Sequence, residues 1–153
     1  MNEIFPLFIA LIGAAFGAYF AILKSKSEKL WVEKYEALKN IVNTAESIAH
    51  ETNLSGLEVL GINTMTEAEK LSLTQETITS KNELRKSISQ LKLLFKESDL
   101  EKLLDDYEEL YGAIIKLKNM PPNEYRHDYH DDIQFKAIEL VNSTVSLAQK
   151  KCT

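Results

Sequence analysis

The feature that most constrains this chain is a run of twenty residues without a charged side chain, from Ile4 to Leu23. At a rise of about 1.5 Å per residue, a helix of that length covers about 30 Å, the thickness of the hydrocarbon core of a bilayer. The short leader contains an acid, Glu3, where a secretion signal has basic residues. The run therefore predicts an uncleaved transmembrane helix over residues 4–23.

The flanks of the run predict its orientation. Lys24, Lys26 and Lys29 follow it, and no Lys or Arg precedes it. By the positive-inside rule, the N-terminus lies outside the inner (cytoplasmic) membrane and residues 24–153 lie in the cytoplasm. The lone Cys152 agrees with a reducing compartment, because it has no partner in the chain for a disulfide.

The predicted span sorts small residues from large ones. On a helical wheel, one side collects a small-residue ridge, which consists of Ala10, Gly13, Ala14, Gly17, Ala18 and Ala21. Such a ridge lets two helix backbones approach closely, so that van der Waals contacts drive association in lipid. Since one span has no second membrane helix of its own, the ridge predicts a homo-oligomer.

The remainder predicts an all-α fold, in which the transmembrane helix continues into a cytosolic antiparallel four-helix bundle over 24–153. Four apolar seams at helical spacing carry this prediction: Trp31, Tyr35, Leu38, Ile41, Val42, Ala45, Ile48 and Ala49; Leu84, Ile88, Leu91 and Phe95; Leu100, Leu103, Tyr107, Leu110, Ile114 and Leu117; and Ile133, Ala137, Leu140, Thr144 and Leu147. No stretch alternates convincingly as a strand.

Breakers and caps predict where these helices begin and end. Residues 53–64 include two glycines and read as a loop. Thr66-x-x-Glu69 and Ser98-x-x-Glu101 match the capping box and are expected to open the second and third helices. The pair Pro121-Pro122 is expected to stop the third helix.

Charge is sorted between the second and third helices. Residues 81–96 carry five basic side chains against one acid, and residues 99–111 carry six acids against one Lys. Lys81, Arg85, Lys92 and Lys96 line one flank of the second seam. This stripe fits two roles: pairing with the acids of the third helix to fix the register of a hairpin, or a site for an anionic ligand such as single-stranded nucleic acid.

A second apolar ridge lies on the fourth helix, away from its main seam. This α4 ridge consists of Phe135, Ile138, Val141 and Val145. Either it widens the core face or it contacts a neighbouring subunit, as exposed apolar ridges often do.

Sequence motifs for catalysis and metal binding are sparse. The stretch Arg126–Asp132 supplies His127 and Asp131 at a helical spacing of four, but a metal needs three or four converging ligands. No Gly-rich phosphate loop, Walker motif or nucleophile elbow occurs. We therefore expect neither an enzyme nor a cofactor or metal.

The plan of one N-terminal span, a short basic flank and a compact helical cytosolic part resembles the small membrane effectors of bacterial anti-phage systems, and in layout the Hailong-type effector. That resemblance implies membrane disruption or pore formation held in check by a nucleotide-derived DNA oligomer. The alternative is a membrane-tethered helical adaptor that recruits a cytosolic protein partner.

Overall fold

The computed structural model describes the backbone of residues 4–62, 64–121 and 126–151, and the side chains of these residues from Gly17 onward. It contains four α-helices: α1 (Ile4–Val59), α2 (Glu67–Leu94), α3 (Glu97–Asn119) and α4 (Arg126–Lys151). These described ranges include no strand. The predicted all-α helical class is confirmed.

The backbone across the predicted span, residues 4–23, is helical and belongs to α1. Within the described part of the chain, however, no helix is both long enough and apolar enough to cross a bilayer. The side chains of residues 4–16, including Ala10, Gly13 and Ala14 of the small-residue ridge, lie outside the described residues. The transmembrane assignment gains no support from this finding and stays a prediction.

The chain forms two units, of which the first ends at Glu33 and the second, the four-helix unit, begins at Lys34. In the first unit, every described side chain from Gly17 to Glu33 is exposed, and Phe20 is 63% exposed. Its ring packs edge-on against that of Tyr19, with the centroids 6.0 Å apart. The remaining members of the small-residue ridge, Gly17, Ala18 and Ala21, are thus exposed.

Polar contacts between helices fix the directions within the four-helix unit. Where α1 enters the four-helix unit, the Lys34 ammonium lies 4.8 Å from the centre of the Phe95 ring, and farther along α1 the Ser80 hydroxyl donates to Glu51 at 3.1 Å. Residue numbers therefore rise on α1 as they fall on α2. Lys151 pairs with Asp99 at 3.0 Å and Lys136 with Glu109 at 2.6 Å. Both neighbouring pairs, α1 with α2 and α3 with α4, are antiparallel.

The predicted seams of α2, α3 and α4 form the core. Buried side chains from all four helices make one apolar cluster, which includes Leu38, Ile41, Leu91, Leu100, Leu103, Leu110, Ile133, Ala137 and Leu140. The prediction for α1 is wrong at its start, where Trp31 and Tyr35 are about half exposed while Ala37 and Leu38 are buried. Trp31 precedes the four-helix unit, so its helical spacing does not correspond to a buried position.

The predicted loop over residues 53–64 is also wrong in its first half, because α1 continues to Val59. The turn that follows the helix contains Gly61, whose φ of +69° lies in the left-handed region that glycine adopts without strain. The Ile62 amide then donates to the Leu57 carbonyl at 3.0 Å, which satisfies one of the last carbonyls of the helix.

One of the two predicted capping boxes forms. The Glu69 amide donates to the Thr66 hydroxyl oxygen at 3.3 Å, and the Thr66 amide donates to the Glu69 carboxylate at 2.7 Å. The box at Ser98 and Glu101 is wrong, because α3 begins earlier, at Glu97, with Lys96 as a cap that makes no side-chain hydrogen bond. α3 ends at Asn119, shortly before Pro121, as expected.

Candidate anion-binding site

A polar pocket of about 150 Å³ opens at the end of the four-helix unit that lies away from Lys34. All four helices contribute to this end pocket, which is lined by Glu51, Thr52, Ser55, Thr77, Lys81, Ile114, Leu117, Lys118, Arg126, His130 and Ile133. The antiparallel arrangement explains why all four helices line the same pocket, because the C-terminal parts of α1 and α3 lie beside the N-terminal parts of α2 and α4. A ligand in this pocket could therefore contact all four helices at once.

Three cationic side chains converge on the end pocket from three helices: Lys81 from α2, Lys118 from α3 and Arg126 from α4. Burial lowers the pKa of Lys81 below its ordinary value of 10.5, the nearby Glu51 carboxylate opposes that shift, and the Lys118 ammonium adds to it. Like charges held close together in a partly desolvated place repel, and an anion between them would relieve that repulsion. The N-terminus of α4, which Arg126 begins, adds a partial positive charge.

Two buried polar groups face the same pocket. Glu51 is 4% exposed and His130 is 7% exposed. One carboxylate oxygen of Glu51, Oε1, accepts the Ser80 hydroxyl, while Oε2 and the Nδ1 of His130 have no hydrogen-bond partner within the described part of the chain. Since buried polar atoms nearly always have partners, these two atoms mark positions where a ligand or water can bind.

His130 is held as the neutral imidazole. Burial lowers its pKa below 6.5, the Arg126 guanidinium and the neighbouring His127 lower it further, and a hydrogen bond with the Thr52 backbone together with Asp131 opposes the shift. A neutral imidazole adds no further positive charge to this pocket, and because its one N–H donates to the Thr52 backbone carbonyl, the unpartnered Nδ1 is an acceptor.

Gly56 sets the distance between α1 and α4 at this pocket. A Cβ atom built on Gly56 would lie 3.2 Å from the Cβ of His130 and 3.9 Å from the Nδ1 of His127. Gly56 therefore permits a close approach of two helices and does not form a turn, although the sequence pattern favoured a loop. The short distance keeps His130 against α1 and beside Thr52.

The structure separates the four predicted stripe residues. Lys81 lines the end pocket, whereas Lys92 lies farther along α2 in a shallow groove with Glu97, Leu100 and Leu104. Arg85 and Lys96 are exposed and, in the part of the chain that the structure describes, line neither cavity. The four residues thus line no common cavity among those described here, and an anion site formed by the whole stripe stays a prediction.

Pairing between the stripe and the acids of α3 is not observed either. In the described ranges, no ion pair within 4.0 Å joins α2 to an acid of α3; instead Asp99 and Glu109 pair with lysines of α4. Two acids of α3 thus pair with α4 rather than with the stripe, and charge pattern alone does not tell which neighbouring helix is closer.

The α4 ridge is largely outside the core. Phe135 is 60% exposed and Ile138 and Val145 are also exposed, while Val141 is partly buried against the core cluster. A subunit contact through this ridge stays a prediction.

His127 and Asp131 approach at 3.5 Å on one face of α4, as their spacing predicts. In the described residues, no three His, Cys, Asp or Glu side chains gather as a metal site would require.

No family model, curated protein or solved structure matches this chain. The site is therefore defined by its geometry alone: a four-helix unit with a small, basic, partly buried pocket at one end. Four of its charged or titratable members, Glu51, Lys118, Arg126 and His130, were not predicted as a group. Only the antiparallel order of the helices brings them together; Glu51, a charged residue on the buried face of α1, is the sequence signal that could have identified the pocket.

Proposed function

We propose that the protein is an oligomeric membrane effector whose four-helix unit binds a phosphate-bearing anion, and that this binding controls how the apolar N-terminal helix acts on the bilayer. The observation that carries the proposal is the convergence of Lys81, Lys118 and Arg126 on a pocket with a buried neutral His130. The layout resembles that of anti-phage effectors, and a defence role is part of the proposal.

Electrostatics supports anion control. Lys81 and Lys118 repel each other across the pocket that Arg126 also lines, and an anion bound among the three would replace repulsion by attraction and charge-assisted hydrogen bonds. Because the three cations belong to α2, α3 and α4 and the carboxylate of Glu51 to α1, an occupied pocket binds the four helices together. The ligand thus favours one packing arrangement of the unit over others.

The action on the membrane is supported by the first unit. The uncharged run of residues 4–23 and three lysines shortly after it fit a span with the four-helix unit in the cytoplasm. The predicted span and three residues of the end pocket, Glu51, Thr52 and Ser55, belong to the same helix, α1. A Cβ built on Gly17 meets nothing within 4 Å, which leaves its face of the helix open to another copy.

A leak assay tests the proposal. Full-length protein in dye-filled liposomes should release dye at a rate that inorganic phosphate changes severalfold. The double substitution Lys81→Met with Lys118→Met should remove the phosphate effect. The matched control Arg85→Met with Lys92→Met, which removes the same charge from α2 outside the end pocket, should retain it.

The membrane part has its own variant. Gly13→Leu with Gly17→Leu separates packed helix backbones and should lower both the leak and the mass of the complex in detergent, measured by light scattering. A leak that phosphate leaves unchanged would contradict ligand control. Absence of any leak, with an unchanged mass, would contradict the effector and favour a membrane-tethered adaptor that recruits a companion protein.

A further inference from the structure

The net charge of the end pocket selects the kind of phosphate. Three cations, Lys81, Lys118 and Arg126, stand against the single carboxylate of Glu51, which leaves a balance of +2 with His130 neutral. A phosphate monoester carries about −1.5 to −2 at neutral pH. A phosphodiester, as in the backbone of a nucleic acid, carries only about −1. The monoester therefore matches the charge of the pocket.

The buried carboxylate of Glu51 needs a hydrogen-bond donor, which an ionised phosphate does not provide. Ionised phosphate presents acceptor oxygens, and these repel the Oε2 atom of Glu51 rather than satisfy it. Within the described residues, Oε2 has no donor, and Glu51 is 4% exposed. A ligand that satisfies Oε2 directly, without a bridging water, carries a hydrogen-bond donor beside its phosphate. The Nδ1 of His130, which also has no hydrogen-bond partner within the described residues, offers a second polar position for the same part of the ligand.

Size and lining limit the rest of the ligand. The pocket volume of about 150 Å³ is smaller than the roughly 300–1,000 Å³ of pockets that enclose drug-sized molecules. Among the described residues that line it, none is Phe, Tyr or Trp, so it lacks the stacking surfaces that hold the bases of single-stranded nucleic acid. The lining instead offers the hydroxyls of Thr52, Ser55 and Thr77, which suit a polar, hydroxylated fragment.

We propose that the end pocket binds a small hydroxylated phosphate monoester of the sugar-phosphate class. Its phosphate contacts Lys81, Lys118 and Arg126, and one of its hydroxyls donates to Glu51. This inference rests on the proposed anion control and specifies its ligand. The same chemistry is present in a free sugar phosphate and in a phosphorylated hydroxyl-bearing lipid headgroup.

Isothermal titration of the full-length protein in detergent tests the ligand class with four probes. Ribose 5-phosphate should bind on the order of tenfold more tightly than methyl phosphate, because a hydrogen bond to a buried charged group contributes that much. Dimethyl phosphate, with one charge, and ribose, with none, should bind far more weakly. A parallel titration with phosphatidylinositol phosphate in the micelles should weaken ribose 5-phosphate binding by competition if the lipid headgroup is the source, and leave it unchanged if the free compound is.

The variant Glu51→Gln locates the hydroxyl contact. It should weaken ribose 5-phosphate binding by about tenfold and leave methyl phosphate binding equal or tighter, because a repelling charge has been removed. Glu83→Gln is the matched control: Glu83 is exposed on α2 and, in the described part of the chain, does not line the end pocket. It should bind both probes as the unmodified protein does.

The outcomes separate the two proposals. Equal affinity for ribose 5-phosphate and methyl phosphate in the unmodified protein would overturn the hydroxyl contact and leave the anion pocket standing. Failure of both monoesters to bind would overturn the anion pocket, and the ligand class with it. The probe series on the unmodified protein decides even if Glu51→Gln lowers the stability of the fold.

Discussion

Two regions of the four-helix unit differ in how their charged groups are paired. One is the contact between α3 and α4, and the other is the end pocket. Along α3 and α4, Glu109 meets Lys136 at 2.6 Å and Asp99 meets Lys151 at 3.0 Å, so each carboxylate faces an ammonium. In the end pocket, burial and, to a smaller extent, the Lys118 ammonium lower the pKa of Lys81, and the Oε2 of Glu51 has no donor among the described residues. The charged groups of the α3–α4 contact have partners within the chain, whereas those of the end pocket do not all have one among the described residues.

This difference separates residues that serve the fold from residues that serve a ligand. Exposed ion pairs such as Lys136 with Glu109 fix neighbouring helices with little cost in desolvation. Buried polar atoms without partners and clustered like charges reduce stability, and proteins retain them where function requires them. The substitutions below test this distinction, beginning with the largest expected effect.

Substitution of Gly56, where α1 and α4 approach closely, should give the largest change in the free energy of unfolding. Gly56→Leu forces a side chain against His130 and should lower the free energy of unfolding by about 2 kcal/mol. Gly112 in α3 is the control, since a Cβ there meets nothing within 4 Å; Gly112→Ala should raise stability by about 0.5–1 kcal/mol through helix propensity. Urea unfolding of the two variants measures both, and equal effects would contradict the close packing at the pocket.

The two lysines should respond with opposite sign. Lys81→Met removes a partly desolvated charge and should raise stability slightly, because solvent screening and the lost attraction to Glu51 reduce the gain, while it removes phosphate binding. Lys136→Met breaks a pair in which each partner stabilises the charge of the other, and should lower stability slightly. Thermal melts without ligand give the signs; a loss of stability in both variants would mean that Lys81 is a structural residue.

The smallest effect concerns pH. Because the pKa of His130 is lowered in the fold from an ordinary value of 6.5, the unfolded chain binds more protons than the fold below that pH. The stability contributed by the neutral imidazole is complete above about pH 6.5 and is lost as the pH falls toward the lowered pKa. Arg126, His127 and Asp131 face the same ring and modulate the loss.

Denaturant midpoints at pH 7.5 and 5.5 measure this dependence. His130→Gln should lose less stability on acidification than the unmodified protein. His50→Gln, at an exposed position on α1, should behave as the unmodified protein does. The same acid-induced loss in all three proteins would contradict the role given to His130.

The sequence predicted the fold well where one apolar face decides it. The seams of α2, α3 and α4 are buried as expected, because a four-helix arrangement leaves each helix a single core face. It failed at residues 53–59, where Gly56 was interpreted as a turn residue. The sequence alone does not tell whether a glycine permits close helix packing or forms a turn. At Gly56 the position of α4 identifies close packing.

The site was predicted only through Lys81. Lys118, Arg126 and Glu51 are far from Lys81 in sequence, and each looks like an ordinary charged helix residue. Their meeting depends on which ends of α1 to α4 lie together, which requires the helix directions and lengths rather than local spacing. The stripe prediction grouped residues of one helix because helical spacing was the only geometry that the sequence provided.

The contact between Gly56 and His130 also limits how the four-helix unit can respond to a ligand. A shift of α4 along α1 by one helical turn would bring the Cβ of His130 against a residue larger than glycine, such as Thr52 or Val59. Sliding by a turn is therefore disfavoured in both directions, whereas tilting of the two helices about Gly56 brings no larger residue to this point. If the four helices close around a bound anion, we expect α1 and α4 to tilt about the contact between Gly56 and His130, which itself stays in place.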